Sequence, residues 1–209
     1  MNLKKNPELI PLVEWWEKDG KSTVVWLLVA AVAVGGWYGW KNHRAAMKAA
    51  ASDAVVNAYT TEEIEEAVSK FSGTATAGAL QLRLAKNYFD NGRYEEALSQ
   101  YEALDGKAPD GFADVPAVGR AQCLEALKKF PEALAAFDAF VQASPNGYLT
   151  LTAQLGAVRC LAQEGKKDEA LKRLAALKDA NKDDEIATAR IDATETLVQR
   201  YEAPKTAAQ

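Results

Sequence analysis

The chain is poor in the side chains that most site chemistry needs. Its 209 residues include one histidine, His43, and two cysteines, Cys123 and Cys160. There is no Cys-x-x-Cys and no His/Cys cluster, which argues against a structural zinc site, because zinc is held by four such ligands at short spacings. With a single histidine beside an apolar segment, there is no Ser-His or Cys-His pair on which nucleophilic catalysis could be built. No metal, no cofactor and no enzymatic activity are expected, and His43 is expected to sit as a polar residue at a membrane surface. A basic excess is missing too. The 25 Lys and Arg against 29 Asp and Glu leave a net charge of −4, so there is no cationic surplus to neutralise phosphates and nucleic acid is not an expected partner. Seven prolines and thirteen glycines are too few for a low-complexity or collagen-like chain.

What the chain does have, first, is one uncharged stretch from Ser22 to Trp40. As a helix those residues span about 28 Å, close to the thickness of a bilayer core. Trp26 lies near one end, Trp37, Tyr38 and Trp40 crowd the other, and Lys21 and Lys41 close the segment. Amphipathic rings favour the headgroup level, so this is the pattern of a transmembrane helix. A cleaved signal peptide is disfavoured by the length of the run and by the 21 residues ahead of it. Four lysines precede the segment and Lys41, Arg44 and Lys48 follow it, a count that leans towards a cytoplasmic N-terminus. Gly35 and Gly39 share a helix face and would let a second membrane helix approach closely. Upstream, Leu9, Ile10, Leu12, Val13 and Trp16 are spaced to form an apolar stripe lying on the membrane.

The second feature is internal repetition. Glu-Ala-Leu recurs at Glu96, Glu132 and Glu169, at intervals of 36 and 37 residues. Nine residues before each alanine stands a large residue (Tyr88, Leu124, Leu161), and four after it another (Tyr101, Phe137, Leu174). Pro109 and Pro145 sit where the first two units would end. Each unit predicts two antiparallel helices. Gly92 or Gly165 caps the first, and Pro131 is tolerated in the opening turn of the second. Ala97, Ala133 and Ala170 let the two helices pack closely, and the large residue one turn on fills the space between units. The segments 53–59 and 62–71, with Thr60 and Glu63 at capping-box spacing, predict a further pair ahead of the first unit, and 186–201 a last helix.

These positions resemble the small-large-Ala-aromatic-Pro pattern of the tetratricopeptide repeat family. The third unit departs from it, with Lys182 for the proline, Lys167 for the aromatic and Val158 for the small residue. The resemblance implies an all-α fold: an N-terminal single transmembrane helix followed by a tetratricopeptide-like helical-repeat solenoid. The order of parts is also similar to that of the YfgM-type ancillary subunit of the bacterial SecYEG translocon. In this chain Trp15, Trp16, Glu17, Gly20 and Lys21 end a short N-terminal segment. A Gly-rich anchor closing on Gly-Trp follows, then an Ala-rich helix and repeats opening with Ala-Gly-Ala-Leu-Gln-Leu-Arg-Leu-Ala at Ala77. That resemblance implies a single-pass protein of the bacterial inner membrane with a cytoplasmic N-terminus and a periplasmic repeat domain. It implies a role as an interaction scaffold that links translocon subunits to a membrane-anchored periplasmic chaperone, with no small-molecule substrate. A repeat receptor facing the cytosol is the alternative.

The expected division is an N-terminal segment 1–21, a transmembrane helix 22–40, a juxtamembrane helix 41–60, a repeat domain 61–201 and a loose tail 202–209. Repeat domains of this type bind along the groove lined by the first helix of each unit. By repeat position, Leu82, Arg83, Lys86, Phe89, Gln122, Glu125, Leu155 and Arg159 are expected to face it. The paired Lys/Asn arrangement that grips a C-terminal carboxylate in some members of the family is not apparent, and Gly119 and Gly156 stand where two of its side chains would be needed. Cys123 and Cys160 occupy equivalent positions on successive first helices, about 8–10 Å apart by helix packing, and are expected to be buried free thiols. The acidic run Glu62 to Glu66 is expected to be a solvated helix face.

Overall fold

The computed structural model describes residues 20–201, with residues 11, 15 and 18 ahead of them. The apolar stripe of Leu9, Ile10, Leu12, Val13 and Trp16 and the tail after Tyr201 therefore fall outside the described residues. The chain divides into two compact units, Met1–Ala50 and Ala51–Gln209. Among the described residues every regular element is a helix.

The first unit holds most of helix α1, Lys21–Asn57. Its apolar stretch is long enough to cross a membrane and none of it is buried within the protein. Trp26, Trp37, Tyr38 and Trp40 are all exposed, and amphipathic rings at the ends of such a stretch suit the headgroup level of a bilayer. At the far end the Trp37 and Trp40 rings meet at a tilt of 40° with centroids 5.4 Å apart, and the Arg44 guanidinium lies 4.7 Å from the Trp40 ring. A cation just beyond an aromatic girdle is the arrangement a membrane interface favours. The helix does not stop there. With no glycine, proline or cap signal between Lys41 and Asn57, it continues through the Ala-rich stretch expected as a separate juxtamembrane helix.

The second unit takes in the end of α1 and then α2 (Thr61–Lys70), α3 (Ala77–Asp90), α4 (Tyr94–Ala103), α5 (Val115–Ala126), α6 (Phe130–Ala143), α7 (Thr150–Gln163), α8 (Lys167–Ala180) and α9 (Glu185–Arg200). The predicted pairs are α3/α4, α5/α6 and α7/α8. From α2 onwards each helix packs on its chain neighbours, with added contact between α5 and α7 and between α7 and α9, the nearest-neighbour stacking of a repeat array. The capping box ahead of α2 is formed. Glu63 N–H donates to Thr60 Oγ1 at 3.2 Å, and Thr60 N–H donates back to Glu63 Oε2 at 3.1 Å. Backbone donors at Tyr59 and Thr60 hold the Glu63 carboxyl below its usual pKa.

Inside each pair the small residue does what its position predicts. Ala97, Ala133 and Ala170 are fully buried. The turn between helices repeats as well. Arg93, Lys129 and Lys166 each donate a backbone N–H to the carbonyl five residues back, at 2.8, 2.9 and 2.9 Å, the closing bond of a Schellman turn. This bond demands a left-handed residue just before it. Gly92 (φ 76) and Gly165 (φ 81) supply it in units one and three, but in unit two it is Lys128 (φ 61).

Between pairs the large residue is seated on a glycine. Tyr101 lies over Gly119, where a Cβ would come 2.6 Å from Tyr101 Cζ, and Phe137 lies over Gly156, where a Cβ would come 2.5 Å from Phe137 Cζ. Those glycines are needed because no side chain fits beneath the ring. Unit three has no ring, and Leu174 is buried instead among Leu161, Ile191 and Val198, with α9 closing the array.

Candidate partner-binding surface

Counting from the Glu-Ala-Leu triplets, Lys86, Gln122 and Arg159 are equivalent, and so are Phe89, Glu125 and Ala162. The structure brings the expected groove residues together in part. Phe89, Gln122 and Glu125 share a surface cavity of about 360 Å³ with Lys128, Phe130 and Gln163. Phe89 is steadied by an edge-on contact with Tyr94, centroids 5.3 Å apart. Arg159 reaches back from α7 to Glu125 on α5 in a two-pronged pair, Nε to Oε1 2.6 Å and Nη2 to Oε2 2.7 Å. The Glu125 charge at the cavity edge is thereby neutralised, and both side chains are held in place. Lys128, Phe130 and Gln163 were not among the expected groove residues. They lie at helix ends and turns, which a count along the first helices does not reach.

The other expected residues fall elsewhere. Lys86 is exposed and pairs within its own helix, Nζ to Asp90 Oδ2 2.6 Å. The Arg83 guanidinium donates to the backbone carbonyls of Val55 and Ala58, with a longer bond to Ala54 O at 3.4 Å, and lies 5.9 Å from the Tyr59 ring. It satisfies the open carbonyls at the end of α1, which carry the negative end of the helix dipole. A cation on the middle of α3 therefore positions a helix end, and only the fold brings that end to it. Leu155 is corrected outright: it is 3% exposed, inside the core with Val158 and Leu161, and Leu82 packs against the first core cluster. Gly35 and Gly39 have open space around them.

Gly119 and Gly156, where carboxylate-gripping side chains would stand, are used as seats for the two rings. The space such side chains need is filled from the preceding unit. Cys123 and Cys160 are buried and free, and burial pushes both thiols up to about 12. Among the described residues no three or more of His, Cys, Asp and Glu gather as a metal site would require.

A family model described as a tetratricopeptide repeat-like domain matches residues 13–143. The chain belongs to that family. A second model, the tetratricopeptide repeat, matches residues 124–185, so the departures in the third unit do not take it outside the repeat. No curated protein matches the chain. Tetratricopeptide repeats are protein-interaction modules, and here they follow one helix long and apolar enough to span a membrane.

Proposed function

We propose that this protein is a membrane-anchored interaction scaffold, an ancillary subunit of the bacterial Sec translocon. It links translocon subunits to a membrane-anchored periplasmic chaperone and does not turn over a substrate. In this reading it is a single-pass protein of the inner membrane, with its N-terminus cytoplasmic and its repeats periplasmic. The observation that carries the proposal is the extent of the family match, residues 13–143, which takes in the spanning helix as well as the first repeats. A repeat domain tethered to the same bilayer as its partner gains effective concentration, so weak contacts suffice. The contact surface is the cavity of Phe89, Gln122 and Glu125 with the Arg159 pair, and Lys86 stands exposed on the helix that carries Phe89. Gly35 and Gly39 offer a second contact, to a membrane helix. Arg83 is a positioning residue.

The test is co-purification from mild detergent of the full chain against Phe89→Asp/Gln122→Lys. The variant should keep its helical content and lose most of its translocon and chaperone partners. A folded variant that recovers the same partners at the same yield refutes the groove. Protease added to spheroplasts should digest the repeats. Digestion only in inverted vesicles refutes the orientation and favours the receptor facing the cytosol.

A further inference from the structure

The opposite face, formed by the second helix of each unit, also carries a site, and the repeat itself says what fits there. Glu102 on α4 and Asp138 on α6 are equivalent positions, as are Ala136 on α6 and Arg173 on α8. Between units two and three an arginine narrows the slot to a cavity of about 280 Å³ lined by Asp138, Gln154, Arg173, Ala176 and Leu177. Asp138 accepts from Arg173 Nη1 at 2.7 Å and from Nη2 at 3.2 Å. Between units one and two the acid is kept, but the arginine's position is Ala136. What results is an open groove of about 600 Å³ with Ala136, Ala139 and Phe140 in its lining and Glu102, Asp114 and Glu132 around it. Arg120 is the one cation in that lining, so the groove stays net acidic. Glu102 and Glu132 make no ion pair within the chain, among the described residues.

We propose that this groove docks a partner protein through a helical segment whose arginine, flanked by small and apolar residues, takes the place that Arg173 takes one unit later. The guanidinium forks onto Glu102, and the apolar flank lies on the alanines and Phe140. A net acidic groove with an apolar floor selects such a segment over an acidic one by charge. The site lies on the face opposite the Phe89 cavity, so it does not rest on the proposed translocon role.

The probe is a synthetic peptide copying residues 167–180, the segment that seats Arg173 in the equivalent slot, added to the detergent-solubilised full chain and read by fluorescence anisotropy. The Arg173→Ala peptide should bind about tenfold more weakly, the loss of one charge-assisted fork. Glu102→Gln in the chain should weaken the parent peptide by a similar factor. Ala136→Arg, which fills the slot from within, should abolish binding and raise Tm. Glu102 is exposed, so Glu102→Gln carries the test if Ala136→Arg does not fold. Equal affinity of the two peptides, or parent-peptide affinity unchanged by Glu102→Gln or by Ala136→Arg in a folded chain, overturns the proposal.

Discussion

The two junctions between repeats are built on the same plan and closed differently. Both seat an aromatic ring on a glycine, Tyr101 on Gly119 and Phe137 on Gly156. At the junction of units two and three, two arginines add forked pairs, Arg159 to Glu125 on one face and Arg173 to Asp138 on the other. At the junction of units one and two the same positions hold Gln122 with Phe89 and Ala136 with Glu102. The shared core is therefore enough to stack the units, and the faces are free to vary. Where the faces pair, the groove beside Asp138 and Arg173 narrows to about 280 Å³, against about 600 Å³ beside Glu102 and Ala136. Where they do not, no such pair crosses the junction and a wider groove is left open.

The sharpest way to break the comparison is through what the junctions share. Gly119→Ala and Gly156→Ala each put a Cβ into a ring, and each should cost about 1–3 kcal/mol in denaturant melts by overpacking. Near-neutral substitution would mean that the rings move aside and the seats are not the common core. The next test is what they do not share. Glu125→Gln should cost about 1–2 kcal/mol, because the side chains of Glu125 and Arg159 are only 17% and 32% exposed and the arginine is left without its fork. Asp138→Asn, in a pair more than a third exposed, should cost less than about 1 kcal/mol. Equal costs would show that the two faces do not differ in burial energetics. The smallest effect concerns the turn. Lys128→Gly removes a left-handed non-glycine residue and should stabilise by about 0.5–1 kcal/mol, after the entropy cost of glycine in the unfolded chain.

Much of the fold was legible because it depends on period. The Glu-Ala-Leu spacing located three helix pairs, Thr60 and Glu63 gave a cap that the structure forms, and an uncharged run between lysines marked a helix long and apolar enough to span a membrane. What was not legible depends on partners from another unit. Gly119 and Gly156 look like ordinary helical glycines until each is counted 18 or 19 residues after an aromatic, and that recurrence was the available signal. Lys128 hid its turn because the left-handed position is not a glycine. Arg83 sits where a groove residue should be, but nothing in its neighbours announces that the open carbonyls of Val55 and Ala58 will be delivered to it. Of the candidate surface, Phe89, Gln122 and Glu125 were readable along the first helices, and Lys128, Phe130 and Gln163, which the turns bring to it, were not.

Cys123 and Cys160 give each junction its own clock. The thiols stand at the same place in successive repeats, Cys123 in the core that holds Tyr101 and Cys160 in the core that holds Phe137. An alkylating reagent attacks a thiolate, and a thiol both buried and raised to about 12 offers almost none at neutral pH. Labelling must then wait for the surrounding repeat to open, so each cysteine reports the opening frequency of one region without any probe being added. In pulse-labelling with iodoacetamide at pH 8, Cys123 should be modified several-fold sooner than Cys160. Glu125→Gln should close that gap by accelerating Cys160.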